Sequence, residues 1–210
     1  MLHIAIARPK VVINGPLKSP SGHALAKANK FDIRHLKIKI IPVSDEPIID
    51  LQSDHYFMGE ALRQAFRAYE AEEVPIGAVV VREGRIIGRA SNQVETLKDA
   101  TAHAEMLALT QAESAVGDWR LTDCTLYVTK EPCPMCAGAI VHVRLARVVF
   151  GVGDPKAGAA GGALNLLQFP TLNHQCDITR GVREQECMSL LQMFFVEQRA
   201  KAKLRSQGGE

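Results

Sequence analysis

Three residues of the types that bind transition metals stand near the starts of two predicted helices. His103 lies in the segment 101–105, and Cys133 and Cys136 form a Cys-x-x-Cys within the segment 131–136. Zinc binds nitrogen and sulfur ligands in a tetrahedron, and a Cys-x-x-Cys in the first turn of a helix can direct both sulfur atoms to one point. A helix N-terminus also stabilises the thiolate form that binds metal. The spacing therefore predicts a site for one Zn2+ ion per subunit.

The number of ligands indicates what the metal would do. Structural zinc sites usually have four protein ligands, whereas catalytic sites have three and a water molecule. Only three strong ligands are present in the pattern, so a water molecule would complete the site, with its pKa lowered towards about 7. Glu105, two residues after His103, is placed to take a proton from that water and pass it on. Hydrolytic deamination needs this chemistry, because a ring nitrogen is protonated during attack and the amine leaves as ammonia.

Each motif taken by itself has other interpretations. A Cys-x-x-Cys also occurs in redox pairs and in zinc ribbons, and a single His-x-Glu carries little information. Here both motifs occur in order, each followed by a predicted helix and separated by a predicted strand. This combination is the signature of zinc-dependent nucleobase deaminases. It favours a catalytic zinc over a redox pair or a purely structural site.

Strand and helix patterns surround these motifs. Ser53 is a plausible N-cap for a helix whose apolar face contains Phe57, Ala61, Leu62, Ala65, Phe66 and Tyr69. Two β-rich runs, 76–82 and 85–90, predict a hairpin. A polar loop is predicted over 92–101, helices over 102–114, 134–143, 164–168 and 183–203, and strands over 125–129, 147–150 and 177–179. The hairpin and the following alternation predict an α/β fold, a three-layer α/β/α sandwich around a mixed sheet.

Charge is unevenly distributed along the chain. The formal net charge of all 210 residues is +2, but residues 1–44 contain eight Lys or Arg residues and one Asp, so they carry about +7 and the rest about −5. Prolines and glycines interrupt regular patterns there, although residues 32–41 could form an isolated strand. We expect residues 1–50 to be a basic, poorly ordered extension and residues 51–205 to be the deaminase domain. The extension could be an RNA-binding arm, an organelle-targeting peptide or a segment without a catalytic role.

Cysteine usage indicates the compartment. The chain has five cysteines, and an odd number that includes a Cys-x-x-Cys argues against a disulfide framework. We expect Cys124, Cys176 and Cys187 to be buried, reduced thiols. No apolar run reaches the roughly 18 residues of a transmembrane helix, so no membrane association is expected. A cytoplasmic location is predicted, with organelle targeting by the extension as the alternative.

Several stretches resemble one family closely. The chain resembles the cytidine/nucleotide deaminase superfamily, and more closely the bacterial tRNA-specific adenosine deaminases, from about residue 54 to 199. The similar stretches lie at 73–79, 102–105, 127–138, 147–151, 154–159 and 172–174. The resemblance implies a cytidine deaminase-like five-stranded sheet, a homodimer with active sites near its interface, and a tRNA anticodon stem-loop as partner. It also implies conversion of adenosine to inosine at position 34, the wobble position.

The resemblance also implies roles for residues outside the metal site. Asn92 matches the residue that recognises the flipped purine, Val74 and Ile76 match residues that line the base pocket, and Asp154 and Lys156 match a loop close to the anticodon stem-loop. An amide can both donate and accept, which suits the edge of a purine. Asn92 could instead turn or cap its loop, and Asp154 could be a turn residue before a proline.

Three positions depart from the usual pattern of the family. Gln93 stands where Arg is common, Ala100 where Pro is usual, and Lys130 where an apolar or small residue is frequent. None is a predicted metal ligand. Lys130 could contact phosphate.

Two other functions compete with a tRNA deaminase. The first is a deaminase of a free base or nucleotide, such as guanine, cytosine or cytidylate, since the motif specifies the chemistry and not the substrate. The loop 154–159 and the cations Arg199, Lys201, Lys203 and Arg205 favour tRNA, although these cations could simply form a solvated helix end. The second is a non-catalytic zinc-binding partner, against which Glu105 argues.

Overall fold

The computed structural model describes residues 50–207. Its helices and strands follow one another as α1 (Asp54–Glu70), β1 (Gly77–Arg82), β2 (Arg85–Ser91), α2 (Val94–Leu97), α3 (Ala104–Val116), β3 (Cys124–Lys130), α4 (Pro134–His142), β4 (Arg147–Val152), β5 (Asp177–Arg180) and α5 (Glu184–Gln207). The predicted basic extension and the strand expected over residues 32–41 lie outside the described residues, so the proposed domain boundary stays a prediction.

The strands form a five-stranded mixed sheet in the order β2-β1-β3-β4-β5. β1 is antiparallel to both β2 and β3, whereas β3, β4 and β5 run parallel to one another. The hairpin explains the first pairing, because Glu83 and Gly84 adopt positive φ angles of 49° and 72° in its two-residue turn. A parallel pair needs a crossover, and α4 supplies it between β3 and β4. The predicted mixed sheet is confirmed.

Alternation along β1 divides the core into two layers. Ala78 and Val80 belong to a buried cluster that includes residues of α3 and α4. Val79 and Val81 belong to a second cluster with residues of α1 and α5. Successive side chains of a strand point to opposite faces, so helices cover both faces of the sheet. The predicted three-layer α/β/α sandwich is confirmed.

A glycine in β2 determines how closely α3 approaches the sheet. A Cβ atom at Gly88 would overlap the carbonyl oxygen of Ala108 and would lie 3.2 Å from the amide nitrogen of Ala112. The backbone of α3 therefore rests directly on β2. This contact fixes the position of the N-terminus of α3, where His103 and Glu105 are found.

Ser53 is the N-cap of α1, as predicted, and its side chain accepts a hydrogen bond from the Tyr56 amide. The prediction of the apolar face of this helix is partly wrong, because Phe66 is 48% exposed. The residues of α1 that pack on the sheet include Phe57 and Ala61, and buried Ala65 and Ala68 continue the same face. Phe66 lies about 100° around the helix from Ala65, outside that face.

Three other element predictions differ notably from the structure. The loop over 92–101 contains the short helix α2, and the helix expected over 102–114 spans Ala104–Val116. The helix expected over 164–168 is wrong. Asn165 forms an isolated antiparallel β-bridge with Ala160, and the Gln168 amide, which a helix would direct at the Leu164 carbonyl, donates to Asn165 Oδ1 instead.

The remaining cysteines behave as predicted. Cys124, Cys176 and Cys187 are buried and free. Burial raises the pKa of the Cys124 thiol to about 11 and the pKa values of the Cys176 and Cys187 thiols to about 12, so all three stay protonated at neutral pH. Within residues 50–207, no helix combines the length and the apolar character needed to cross a membrane.

Candidate metal centre and active site

His103 and Glu105 are presented by the first residues of α3. His103 is the N-cap of the helix, with an extended backbone, and its side chain makes no capping hydrogen bond. The imidazole is therefore free to bind a metal. Glu105 is the second residue of the helix and is only 4% exposed. The two side chains thus leave the same helical turn, as the spacing predicted.

Cys133 and Cys136 are presented in the same way by α4. Cys133 is the N-cap, Pro134 is the first helical residue, and Cys136 lies in the first turn and is fully buried. Proline suits this position because the amide it lacks would have no partner inside the helix. Both sulfur atoms therefore lie at the N-terminus of α4, which confirms the predicted placement of the Cys-x-x-Cys.

The three donor atoms lie close enough to share one ion. The His103 Nδ1 atom is 3.7 Å from the Cys133 Sγ atom and 3.4 Å from the Cys136 Sγ atom, and all three donors lie within 4.8 Å of one another. A tetrahedral zinc ion with bonds of about 2.3 Å to sulfur and about 2.0 Å to nitrogen separates such atoms by about 3.5 Å. No other His, Cys, Asp or Glu of residues 50–207 joins this cluster. The donor set fits zinc and leaves one tetrahedral position open.

The electrostatics of the cluster favour the metal-binding thiolate at Cys133 and the protonated forms of Cys136 and His103. Hydrogen bonds with Cys136 and His103 lower the pKa of the Cys133 thiol to about 3. The neighbouring Cys133 thiolate and burial raise the pKa of Cys136. The hydrogen bond to Cys133 raises the pKa of His103. Metal binding requires both thiolates and a neutral imidazole, so it would displace protons from Cys136 and His103.

Glu105 lies next to the sulfur atoms without being one of the three donors. Its carboxyl group is close enough to Cys136 for a hydrogen bond, and burial raises its pKa. A buried carboxyl group with a raised pKa can take up and release a proton near neutral pH. The geometry therefore suits the predicted proton shuttle.

Asn92 is buried at the end of β2, beside the segment that leads to His103. The backbone amide of Asn92 donates to the carbonyl of Ile76, and the backbone amide of Gln93 donates to the carbonyl of Ala102. The Asn92 side chain donates through Nδ2 to the Glu73 carboxylate over 3.1 Å. Val74 and Ile76 are half-buried and pack against the core. These backbone hydrogen bonds connect Asn92 and Ile76 to the segment that leads to His103. The roles predicted for these residues in binding a base stay predictions.

Asp154 and Lys156 lie in the loop after β4. The Asp154 carboxylate forms an ion pair with Lys130 and accepts from the amides of Lys156 and Ala157 over 3.0 and 3.1 Å. These contacts agree with the interpretation of Asp154 as a turn residue, whereas its place near the anticodon stem-loop and the phosphate contact of Lys130 stay predictions. The Lys156 side chain is exposed.

Glu131 holds the loop after β4 against the cysteine motif. Its carboxylate is buried and accepts from the amides of Asp154, Ala160 and Gly162 over 2.7, 2.8 and 2.8 Å. Sequence reasoning assigned no role to Glu131 or to Glu73. The available signal was an acidic residue directly before an apolar strand or before Pro-Cys, where a charge is costly unless it is hydrogen-bonded.

Comparison with known proteins identifies the family. The model of the MafB19-like deaminase family matches residues 52–199. A tRNA-specific adenosine deaminase of Bacillus subtilis (strain 168) is 52% identical over 153 residues, which cover 73% of this chain and 95% of that protein.

Solved structures agree with this match and with the predicted cytidine deaminase-like fold. One comes from a study of A-to-I editing by tRNA:A34 deaminases at the wobble position of transfer RNA. It is 44% identical with a TM-score of 0.63, and the match covers 65% of this chain and 99% of that one. A guanine deaminase of Nitrosomonas europaea, 22% identical with a TM-score of 0.60 over 68% of this chain and 84% of that one, shares the fold. The chain is a deaminase and belongs to the family of tRNA-specific adenosine deaminases.

Proposed function

We propose that this protein catalyses the zinc-dependent hydrolysis of adenosine to inosine at position 34 of tRNA, with release of ammonia. The observation that carries the proposal is the cluster of His103, Cys133 and Cys136 at distances that suit one zinc ion, with the buried Glu105 carboxyl group beside it. The names of relatives that are 44% and 52% identical support the substrate.

The protein's own contribution to the reaction is the handling of protons. A zinc ion bound by the three donors would supply a water molecule of lowered pKa as the nucleophile. Glu105 takes a proton from the attacking water and delivers it to the ring nitrogen next to the carbon that bears the amine. It then takes the second proton from the oxygen that has added to that carbon and passes it to the amine, so that the C–N bond breaks and ammonia leaves. One carboxyl group serves both steps because its raised pKa lies closer to neutral pH.

The base must be turned out of the anticodon loop to reach this site. We assign its recognition to Asn92, whose amide can read a purine edge, and its apolar contacts to Val74 and Ile76 at the entry to β1. The hydrogen bond from the backbone amide of Asn92 to the carbonyl of Ile76 supports this grouping, because it holds the two residues side by side.

The RNA would lie across the loop after β4 and α5. A groove of about 580 Å3 lies there, lined by Lys130, Asp154, Phe195 and Arg199 among others. Phe195 is 44% exposed, and an exposed aromatic ring beside an arginine suits an unpaired base and its phosphate. Lys156 adds a cation at the surface of the same loop.

Lys201, another basic residue of α5, is less suitable for binding the anticodon stem-loop. Lys201 forms an ion pair with Glu72 over 2.7 Å, so its charge is already partly compensated. Arg199 and Lys156 are therefore the cations to which we assign phosphate contacts.

We further propose that two subunits form a homodimer in the cytoplasm. Exposed apolar side chains are available for a subunit contact, among them Leu97, Trp119, Leu164 and Phe169. The free, reduced cysteines suit a reducing compartment. Analytical ultracentrifugation tests the dimer, because a mass of one subunit at micromolar concentration would contradict it.

The function is tested with the full chain, loaded with zinc, and a tRNA transcript that carries A34. Reverse transcription and sequencing should report A-to-G conversion at position 34. Glu105→Gln should keep its zinc, measured by elemental analysis, and lose at least about 100-fold in kcat, because a proton-transfer group contributes about 100- to 10,000-fold. Glu113→Gln, a matched change on α3 away from the cluster, should leave the rate unchanged.

Free guanine, cytosine and cytidylate are offered to the same protein, with release of ammonia as the measurement. Ammonia from one of them without inosine in the tRNA would make the substrate assignment wrong. A zinc-loaded protein that acts on none of these substrates would fit the non-catalytic partner instead.

A further inference from the structure

A second carboxylate, Glu73, is almost completely buried next to the residue assigned to base recognition. It is only 1% exposed, and the proposed reaction does not use it. One oxygen accepts from Asn92 Nδ2 over 3.1 Å, and the other accepts from the Thr96 amide over 2.6 Å. No cation pairs with Glu73 among the ion pairs of residues 50–207. The cost of burying this charge is therefore offset mainly by hydrogen bonds.

The backbone around Glu73 is held in place on both sides. Glu72 adopts a positive φ of 60°, and the Glu73 amide donates to the carbonyl of Ala68 at the end of α1. The chain then enters β1, whose first residues pair with the end of β2 just before Asn92. Backbone contacts thus hold Glu73 at the end of α1 and Asn92 at the end of β2, so these positions do not depend on the contact between the two side chains.

The chemistry of this contact determines which way the Asn92 amide faces. An ionised carboxylate accepts hydrogen bonds and cannot donate them, so the group that Asn92 directs at Glu73 must be its NH2. Although burial raises the pKa of Glu73, its hydrogen bonds lower it by more, so the group is ionised at neutral pH. The contact occupies one of the two N–H bonds. The other N–H and the Oδ1 atom stay available to a substrate.

We propose that Glu73 is a positioning residue that fixes the orientation of the Asn92 amide and so determines which donor and acceptor the purine base meets. This inference depends on the proposed function, since it assumes that Asn92 contacts the base. It adds a residue that sets specificity without touching the substrate. The hydrogen bond from the Thr96 amide holds the other oxygen of the carboxylate in place.

Glu73→Gln is the sharpest perturbation because it keeps the shape and reverses the hydrogen bonding. The Thr96 amide still needs an acceptor, so the glutamine oxygen faces Thr96 and its NH2 faces Asn92. Two NH2 groups then oppose each other unless the Asn92 amide turns over by 180°. The turned amide offers the base an exchanged donor and acceptor. We expect kcat/KM on A34 tRNA to fall about 5- to 150-fold, the range for one well-placed pair of hydrogen bonds to a base.

The loss should appear mainly in kcat, with KM changed less than about threefold, because phosphate contacts dominate RNA affinity. Asn92→Ala tests the route of the effect. In the Asn92→Ala background, Glu73→Gln should have no further effect on kcat. Glu95→Gln, an equal loss of charge on exposed α2 next to Thr96, should behave as the wild type.

A second measurement does not depend on activity. In the zinc-loaded wild type, nuclear magnetic resonance should show one Asn92 side-chain N–H proton shifted downfield and slow to exchange, and Glu73→Gln should remove this signature. Unchanged kcat in Glu73→Gln, a further drop of kcat in the Asn92→Ala background, or the absence of a protected Asn92 proton would each overturn the inference. A wild type that shows the protected proton but deaminates no tRNA would contradict the proposed function and leave the Glu73–Asn92 contact intact. A loss of kcat that simply follows a loss of zinc or of folded protein would indicate a structural role and overturn the inference as well.

Discussion

The substitution Glu131→Gln should loosen the loop that follows β4. The Glu131 carboxylate accepts from three backbone amides, two at Oε1 and one at Oε2, over 2.7 to 2.8 Å. A glutamine side chain can keep its oxygen on Ala160 and Gly162, but then its NH2 faces the amide of Asp154. One backbone N–H therefore loses its acceptor.

The magnitude follows from the number and type of these bonds. A donor left unsatisfied costs about 1 to 3 kcal/mol, and each of the two remaining bonds weakens by about 1 kcal/mol when its acceptor loses its charge. Removing a buried charge offsets part of this cost. We therefore expect Glu131→Gln to lower the free energy of unfolding by about 2 to 4 kcal/mol.

Urea unfolding of the zinc-loaded protein measures the change, and hydrogen exchange of the amides of residues 154, 160 and 162 locates it. Glu70→Gln, an equal change on the exposed surface of α1, should alter the free energy of unfolding by less than about 0.5 kcal/mol. The reasoning is refuted if Glu131→Gln unfolds at the same urea concentration as the wild type and the three amides exchange no faster.

Three further predictions concern other parts of the fold. Gly88→Ala should lower the free energy of unfolding by about 1 to 3 kcal/mol, because the new Cβ atom overlaps the Ala108 carbonyl and pushes α3 away from β2; a Tm equal to that of the wild type would contradict the close packing. Asp54→Asn should lower the free energy of unfolding by about 1 to 2 kcal/mol at pH 7, because hydrogen bonds from Arg147 and Tyr127 outweigh burial and lower the Asp54 pKa below 3.8. That difference should be constant above about pH 5 and should shrink as the pH falls through the lowered pKa in the folded state, as followed by urea unfolding at several pH values; a difference that grows in acid would be the wrong sign. Cys133→Ala should lose zinc by elemental analysis, and its Tm should no longer respond to a chelator that lowers the Tm of the wild type.

The layers of the fold and the metal cluster could be predicted because each depends on a local pattern. The β-rich run of β1 and the helix starts near His103 and Cys133 are visible within a few residues of sequence. The spacing within each motif placed its donors in a first helical turn, and the structure brought the two turns together.

The missed features depend on partners that are distant in the sequence. Glu73 bonds to Asn92, 19 residues away, and Glu131 bonds to amides 23 to 31 residues away. The local sequence shows only that each carboxylate borders an apolar segment or Pro-Cys, and it does not reveal the distant hydrogen-bond partners. The helix predicted over 164–168 is wrong because a β-bridge between Asn165 and Ala160 holds this segment in an extended pairing.

The N-cap geometry of the two donor helices has a consequence for how such an enzyme can diversify. The donors are held by the backbone of α3 and α4, which rest on one face of a rigid sheet, whereas Asn92, Asp154 and Lys156 lie in connecting segments. Loops tolerate insertion and replacement far better than packed helices do. A lineage could therefore acquire a new substrate by exchanging the segments after β2 and β4, while the ion and its proton shuttle keep their coordinates.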